Sequence, residues 1–142
     1  ECGNGENTWA YAQYVHNLYR HYFANGANAY IYWNMVLKPK GRSTWGWEQN
    51  SMITVDPETE HTIYNPEYYV MKHFSHFVKP GAVRIETTGS WTGNSTAFLN
   101  PDGTKVVVIA NPLKEIRELT IEQNGETYSF ALEAESFNTI VI

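Results

Sequence analysis

Eleven residues, Ala27 to Leu37, form an almost unbroken apolar and aromatic run directly after the turn Asn25-Gly26. A run of that length and make-up fits a strand buried on both faces, as in a parallel sheet whose two sides are covered. The segment before it is helical by spacing. Trp9, Ala12, Val15, Leu18, Tyr19, Tyr22 and Phe23 recur at three- and four-residue intervals over Thr8 to Phe23. Asn7 or Thr8 can cap the start, and the glycine after Asn25 suits a left-handed stop. A helix feeding a buried strand is half of an α/β unit. One such strand cannot stand alone, because its ladder edges and both apolar faces would be open. The expectation is that the first half belongs to a larger sheet whose other strands lie outside this chain.

A long polar loop follows, Lys38 to Asn50, with Trp45, Gly46 and Trp47 inside it. Short strands are expected at Ser51–Asp56 and His61–Tyr64. Asn65-Pro66-Glu67 then opens a second helix, with Asn at the cap and Pro at the first helical position, running to about Val78 before Pro80-Gly81. Beyond residue 82 the period changes to two. Strands are expected at Val83–Thr87, Thr96–Asn100, Lys105–Asn111, Glu118–Glu122, Thr127–Leu132 and Phe137–Ile142, with Asn124-Gly125 as a hairpin turn. The fold class is therefore α/β plus all-β, divided as residues 1–80 and residues 82–142, the latter an antiparallel sandwich.

Charge and composition narrow the function. The net charge of −5 without a Lys/Arg cluster argues against a nucleic-acid partner. No apolar run approaches the roughly 20 residues of a membrane span. A single cysteine, Cys2, excludes an internal disulfide framework. No phosphate loop, dinucleotide fingerprint or zincin motif is present, and no cofactor is expected. His73 and His76 stand three apart on the second helix, but a third ligand at suitable spacing is missing, so no metal is expected. The chain opens on Glu rather than Met, which points to a processed or cut polypeptide.

Aromatic content is the outlier at 15%, and sixteen of the 21 rings fall before residue 81. Ligands of α/β folds sit outside the carboxyl ends of the strands, where Trp33 and Asn34 lie. An indole plate beside an amide suits a sugar, with its CH-rich face and hydroxyl rim. Trp33 could equally be core. Asn34 favours a site, because an amide inside an apolar run needs buried partners or a ligand. Trp45 and Trp47, two indoles in a polar glycine-containing loop, are candidates for the wall of the same site, against the alternative that they pack down over the domain.

Four segments together resemble glycoside hydrolase family 30, the glucosylceramidase and β-1,6-glucanase family. They are Glu1-Cys2-Gly3-Asn4-Gly5-Glu6-Asn7-Thr8-Trp9, the run from Gly26 through Tyr32-Trp33-Asn34 to Leu37, the helix from Asn65 through Lys72-His73-Phe74-Ser75-His76-Phe77 to Val78, and Asn100-Pro101-Asp102-Gly103 before the Val106–Ile109 strand. The resemblance implies that residues 1–80 are the C-terminal end of a (β/α)8 barrel and residues 82–142 most of a side β-sandwich. It also implies a retaining mechanism with two Glu residues. The acid/base would lie on a strand absent from this chain. The nucleophile would be Glu1 if it directly precedes the family's Cys, or would lie just upstream of Glu1 in the subfamily with an extra Glu. Trp33 carries over as the sugar-facing aromatic with Asn34 behind it, and Trp45 as the aromatic of the next loop. Trp47 is a further candidate there.

The resulting expectation is a fragment of a retaining β-glycosidase acting on β-1,6-glucan or glucosylceramide-like substrates. It would be inactive without a companion chain supplying the rest of the barrel, and would act secreted or in a periplasm. The alternatives are a non-catalytic carbohydrate-binding module and a structural β-domain without a ligand.

Overall fold

The computed structural model describes residues 6–142. The chain divides into two compact units, one running through His76 and one from Phe77 to Ile142.

In the first unit, helix α1 spans Trp9–Ala24; helix α2 spans Pro66–Phe77, and the division between the units falls just before its last residue. Thr8 caps α1, its hydroxyl accepting from the Tyr11 N–H at 3.3 Å, which satisfies one orphan donor of the first turn. The helical stripe read from the sequence is the packed face. Ala12, Val15, His16 and Tyr19 are buried on α1, and Glu67, Val70 and Phe74 on α2. Tyr19 is stacked between Phe74 and Tyr30, with ring centroids 4.5 and 3.8 Å away. Three short strands complete the unit: β1 (Val36–Leu37), β2 (Ile53–Val55) and β3 (Thr62–Tyr64). β1 runs parallel to β2, with Val36 opposite Ile53, and β2 runs antiparallel to β3.

The expected strand over Ala27–Leu37 is corrected here. Only Val36–Leu37 joins a ladder. The residues before it alternate: Tyr32 is buried, whereas Ile31, Trp33 and Met35 are exposed. The segment keeps the side-chain alternation of an extended chain, but burial on both faces fails. Its end bonds to residues 50–53 through the Asn34 N–H and the Asn34 and Met35 carbonyls, while among the described residues nothing covers the side that carries Ile31, Trp33 and Met35. The described residues of this unit contain no closed barrel, only the three-stranded sheet.

The second unit is a β-sandwich. Strands β4 (Val83–Ile85), β5 (Ser95–Leu99), β6 (Lys105–Asn111) and β9 (Ser136–Val141) form an antiparallel sheet in the order β4-β5-β6-β9. β7 (Arg117–Gln123) and β8 (Glu126–Leu132) form a separate hairpin. Its turn is Asn124-Gly125, both at positive φ (53° and 84°), which matches the right-handed twist of the flanking strands. The core between the layers is Ile109 and Ile140 from the sheet with Leu119 and Leu132 from the hairpin, and Trp91, Val107, Ile121, Phe130 and Ile142 pack around it. Part of the space between the layers is open, a cleft of about 640 Å³ lined by Val107, Ile109 and Ile121 among others. A two-stranded layer is too narrow to cover a four-stranded one.

Two buried asparagines fix the loops of this unit. Asn100 donates to the Phe77 carbonyl and to the Thr104 hydroxyl, both at 3.0 Å, and accepts from the Lys79 N–H. The motif Asn100-Pro101-Asp102-Gly103 is thus a turn whose first residue also ties down the start of the unit. Asn111 plays the same part at the end of β6, bonding the Glu115, Leu132 and Glu133 carbonyls and the Leu113 N–H.

Candidate functional site

The loop over residues 38–50 is a built turn. Arg42 and Glu48 bridge across it, with an ion pair of 2.9 Å between exposed side chains. At its centre the Ser43 hydroxyl accepts from the N–H groups of both Trp45 and Trp47 at 3.2 Å, and the Ser43 N–H donates to the Trp47 carbonyl. Gly46 supplies the positive φ (86°) between the two indoles. Gly41 is required at the base, because a Cβ there would lie 2.9 Å from the Leu37 Cβ. The outcome is two tryptophans on one turn, 79% and 62% exposed for Trp45 and Trp47. They do not pack down over the unit.

Trp33 is 58% exposed, while Tyr32 before it is buried and Asn34 after it is half-buried; the Trp33–Asn34 peptide is cis. The Asn34 amide has a protein partner: its Nδ2 donates to the Asn50 main-chain carbonyl at 3.2 Å, which the Asn34 N–H also reaches at 3.4 Å. The Asn34 carbonyl in turn accepts from the Met52 N–H at 3.0 Å. The end of the tryptophan loop is therefore joined to the Trp33–Asn34 corner. Glu1, the candidate nucleophile, lies outside the described residues.

Sequence reasoning missed the polar layer behind this corner. Asn50 is fully buried, and its two amide hydrogens go to the Glu6 carbonyl at 2.9 Å and to Glu67 Oε1 at 3.0 Å. Ser51 donates its N–H to the Asn7 side chain at 3.0 Å. Asn65 donates to the Ser51 carbonyl at 2.8 Å and to the Thr54 hydroxyl at 2.9 Å. It stands before α2 as the cap position demands, yet its amide is spent on Ser51 and Thr54. Glu67 is completely buried in the first turn of α2, and Oε2 has no hydrogen-bond partner among the described residues. Burial pushes its carboxyl above the usual range, opposed by the hydrogen bond from Asn50. The available signal was polar residues, Asn50-Ser51 and Asn65, flanking short apolar strands. A Glu one place after a helix-initiating Pro looks in sequence like a solvated first-turn acid.

Of the histidines on the two helices, His16 is buried and His73 half-buried, whereas His21 and His76 are exposed. His16 is buried against Phe74, and burial, with His73 and Arg20 nearby, holds its pKa down at about 4. Burial and Lys72 lower His73 as well. Among the described residues no group of three His, Cys, Asp or Glu could hold a metal, and no helix is long and apolar enough to cross a membrane.

Comparison with known proteins gives this geometry a setting. Residues 81–140 match the family model described as the glycosyl hydrolase family 30 beta sandwich domain. The chain is 38% identical over 94 residues to a putative glucosylceramidase 2 of Caenorhabditis elegans, covering 63% of this chain and 18% of that protein. It is 36% identical over 85 residues to an endo-1,6-β-D-glucanase of Aspergillus fumigatus, covering 55% of this chain and 17% of that one. The chain thus spans about a fifth of the length of the curated relatives it matches. The fold superimposes on the crystal structure of SrfJ from Salmonella typhimurium with a TM-score of 0.86, at 22% identity, over 99% of this chain and 33% of that one.

Proposed function

The chain belongs to glycoside hydrolase family 30, and we propose that it is the C-terminal portion of a retaining β-glycosidase that hydrolyses β-glucosidic linkages in a β-1,6-glucan or a glucosylceramide-like substrate. The observation that carries this reading is the Trp33–Asn34 corner. It presents an exposed indole while its rear is hydrogen-bonded into a buried polar layer. An indole that is both exposed and rigidly backed can stack on a sugar ring with little ordering cost. Trp45 and Trp47 on their turn add further apolar plates for the same or neighbouring sugar units.

The reaction proceeds by double displacement. One carboxylate attacks the anomeric carbon and the leaving oxygen takes a proton from a second carboxyl group about 5–5.5 Å away; water then releases the glycosyl-enzyme. The nucleophile is Glu1 or a residue just upstream of it, and the acid/base comes from a barrel strand outside this chain. Residues 1–80 form the C-terminal end of that (β/α)8 barrel, and residues 82–142 most of the side sandwich. Two features support this: the uncovered alternation at Ile31, Trp33 and Met35, and the open cleft between the sandwich layers. The companion segment supplying the remaining strands covers both. A polysaccharide substrate places the enzyme outside the cell or in a periplasm.

The test uses the full-length protein and the isolated chain side by side on an aryl β-glucoside and a β-1,6-linked gluco-oligosaccharide. The full-length protein turns both over, the first-formed sugar is the β-anomer by proton NMR, and Trp33→Ala lowers kcat/KM well beyond any loss of folded protein. The isolated chain is inactive. An α-anomeric first product, or inhibitor-sensitive turnover by the isolated chain, refutes the mechanism. Binding of glucan by the isolated chain with no turnover by the full-length protein would favour a carbohydrate-binding module instead.

A further inference from the structure

Asn50 stands where two parts of the proposed site meet. Its side chain donates to the carbonyl of Glu6, in the segment that follows the nucleophile end of the chain, and its main-chain carbonyl accepts from Asn34, at the sugar-facing corner. The next residue repeats the pattern: Ser51 N–H holds the Asn7 side chain, and Met52 N–H holds the Asn34 carbonyl. Residues 50–52 thus bind both segments, one on each side. The other hydrogen of the Asn50 amide goes to Glu67 Oε1, and Asn65 grips Ser51 from the same helix start. Asn50, Asn65 and Glu67 are all buried. A rotatable amide on a loop would not hold a register by itself. Saturated by two acceptors and fixed from α2, it has one orientation.

We propose that Asn50 and Glu67 are positioning residues of the glycosidase site: Glu67, from the first turn of α2, orients the Asn50 amide, and Asn50 locks the segment at Glu6–Asn7 to the Trp33–Asn34 corner. The inference rests on the glycosidase reading, since it assigns the pair to alignment of the nucleophile-bearing segment with the sugar plate. Neither residue touches the substrate. Their effect is exerted through main-chain bonds, and misplacement of a reacting group by about 1 Å can cost on the order of a hundredfold in rate.

The pair has a natural exchange control. Asn50→Asp removes both donors. Combined with Glu67→Gln it restores a hydrogen bond between positions 50 and 67 with donor and acceptor swapped, yet position 50 still cannot donate to the Glu6 carbonyl. The full-length protein is assayed as parent, Asn50→Asp, the exchanged double variant and Glu67→Leu, below each variant's melting temperature. Two readouts are followed: kcat and KM on an aryl β-glucoside, and the fluorine resonance of Trp33 in 5-fluorotryptophan-labelled protein, assigned through Trp33→Phe. The expected result is recovery of melting temperature in the double variant while kcat stays at least about tenfold low, with KM little changed and the Trp33 resonance displaced. Recovery of kcat together with stability would show that the pair only holds the fold, and overturns the proposal. So does a folded Glu67→Leu protein with parental kcat and an unmoved Trp33 resonance. If the parent itself turns over no β-glucoside, the glycosidase reading fails separately; the Trp33 resonance in Asn50→Asp then still decides whether the pair holds the corner.

Discussion

Asn111 allows a sharp test of how the sandwich is held. It is completely buried, its Nδ2 lies 2.9, 3.1 and 2.9 Å from the carbonyls of Glu115, Leu132 and Glu133, and its Oδ1 accepts from the Leu113 N–H at 3.1 Å. An amide nitrogen has two hydrogens, so the three carbonyls share them and the group makes about three full bonds in all. At roughly 1 kcal/mol net per bond, Asn111→Ala should cost about 3 kcal/mol, more if the buried Leu132 carbonyl finds no water. Asn111→Asp is nearly isosteric, keeps the bond to Leu113 and fills the same space. It nevertheless points an acceptor at three acceptors. At neutral pH it buries an uncompensated charge, so its cost should exceed that of alanine, on the order of 4 kcal/mol or more. Acidification protonates the new carboxyl in the fold first, because its folded pKa is raised above the unfolded one. The Asp variant should therefore regain stability relative to parent as pH falls. Urea unfolding followed by circular dichroism at pH 7 and at pH 5 measures the order. An Asp variant as stable as the Ala variant at pH 7 would refute the idea that donation by Nδ2 is what Asn111 contributes.

Three further outcomes follow from the first unit. Gly41→Ala places a Cβ 2.9 Å from the Leu37 Cβ and 3.1 Å from the Lys38 carbonyl, so it should cost about 1–3 kcal/mol in thermal or urea unfolding; an unchanged midpoint would show that the loop base yields freely. Trp45→Ala and Trp47→Ala remove exposed rings, so each should change the unfolding free energy by less than roughly 0.5 kcal/mol. In the full-length protein each should raise KM for a gluco-oligosaccharide by about fivefold, the worth of a lost aromatic contact of about 1 kcal/mol; unchanged KM in both would remove the turn from the sugar wall. His16 titrates near 4 in the fold against 6.5 in a free chain. Between those values the unfolded chain binds the extra proton, so stability falls as pH drops from about 6.5 to about 4, by roughly 3 kcal/mol at the bottom of the window. Replacing His16 by Phe should flatten that part of the pH profile, and an unchanged slope would assign it elsewhere.

The elements were legible in the sequence where one physical rule dominates. The stripe on α1 was readable because Ala12, Val15 and Tyr19 recur on one face by period and all three are buried, and the stop came from Gly26. The hairpin at Asn124-Gly125 was readable because few sequences accept positive φ twice in succession. The six strands of the sandwich were found within a residue or two at most ends, shifted where turns rather than side-chain alternation set the limits. Ala27–Met35 failed for a different reason. Apolar content reports that a segment is to be covered, but not what covers it, and a ladder exists only when a neighbour is present to complete it.

The same distinction separates the visible and hidden halves of the candidate site. Trp33, Trp45 and Trp47 stand out in sequence because large rings in odd places are rare and their exposure is locally decided. Ser43 and Gly46 build the turn that holds two of them within five residues. Asn50, Asn65 and Glu67 stand out only in three dimensions. Each has an ordinary surface composition, and each is buried because its hydrogen-bond partners come from 11 to 44 positions away in the chain. Burial of a polar group is stable only when those partners converge, so its signal is relational. That is also why the hidden residues are the ones able to transmit position. An exposed indole can be replaced with a local effect, whereas a saturated buried amide couples every segment it bonds. In this chain those segments are the one at Glu6–Asn7, the Trp33–Asn34 corner and the first turn of α2.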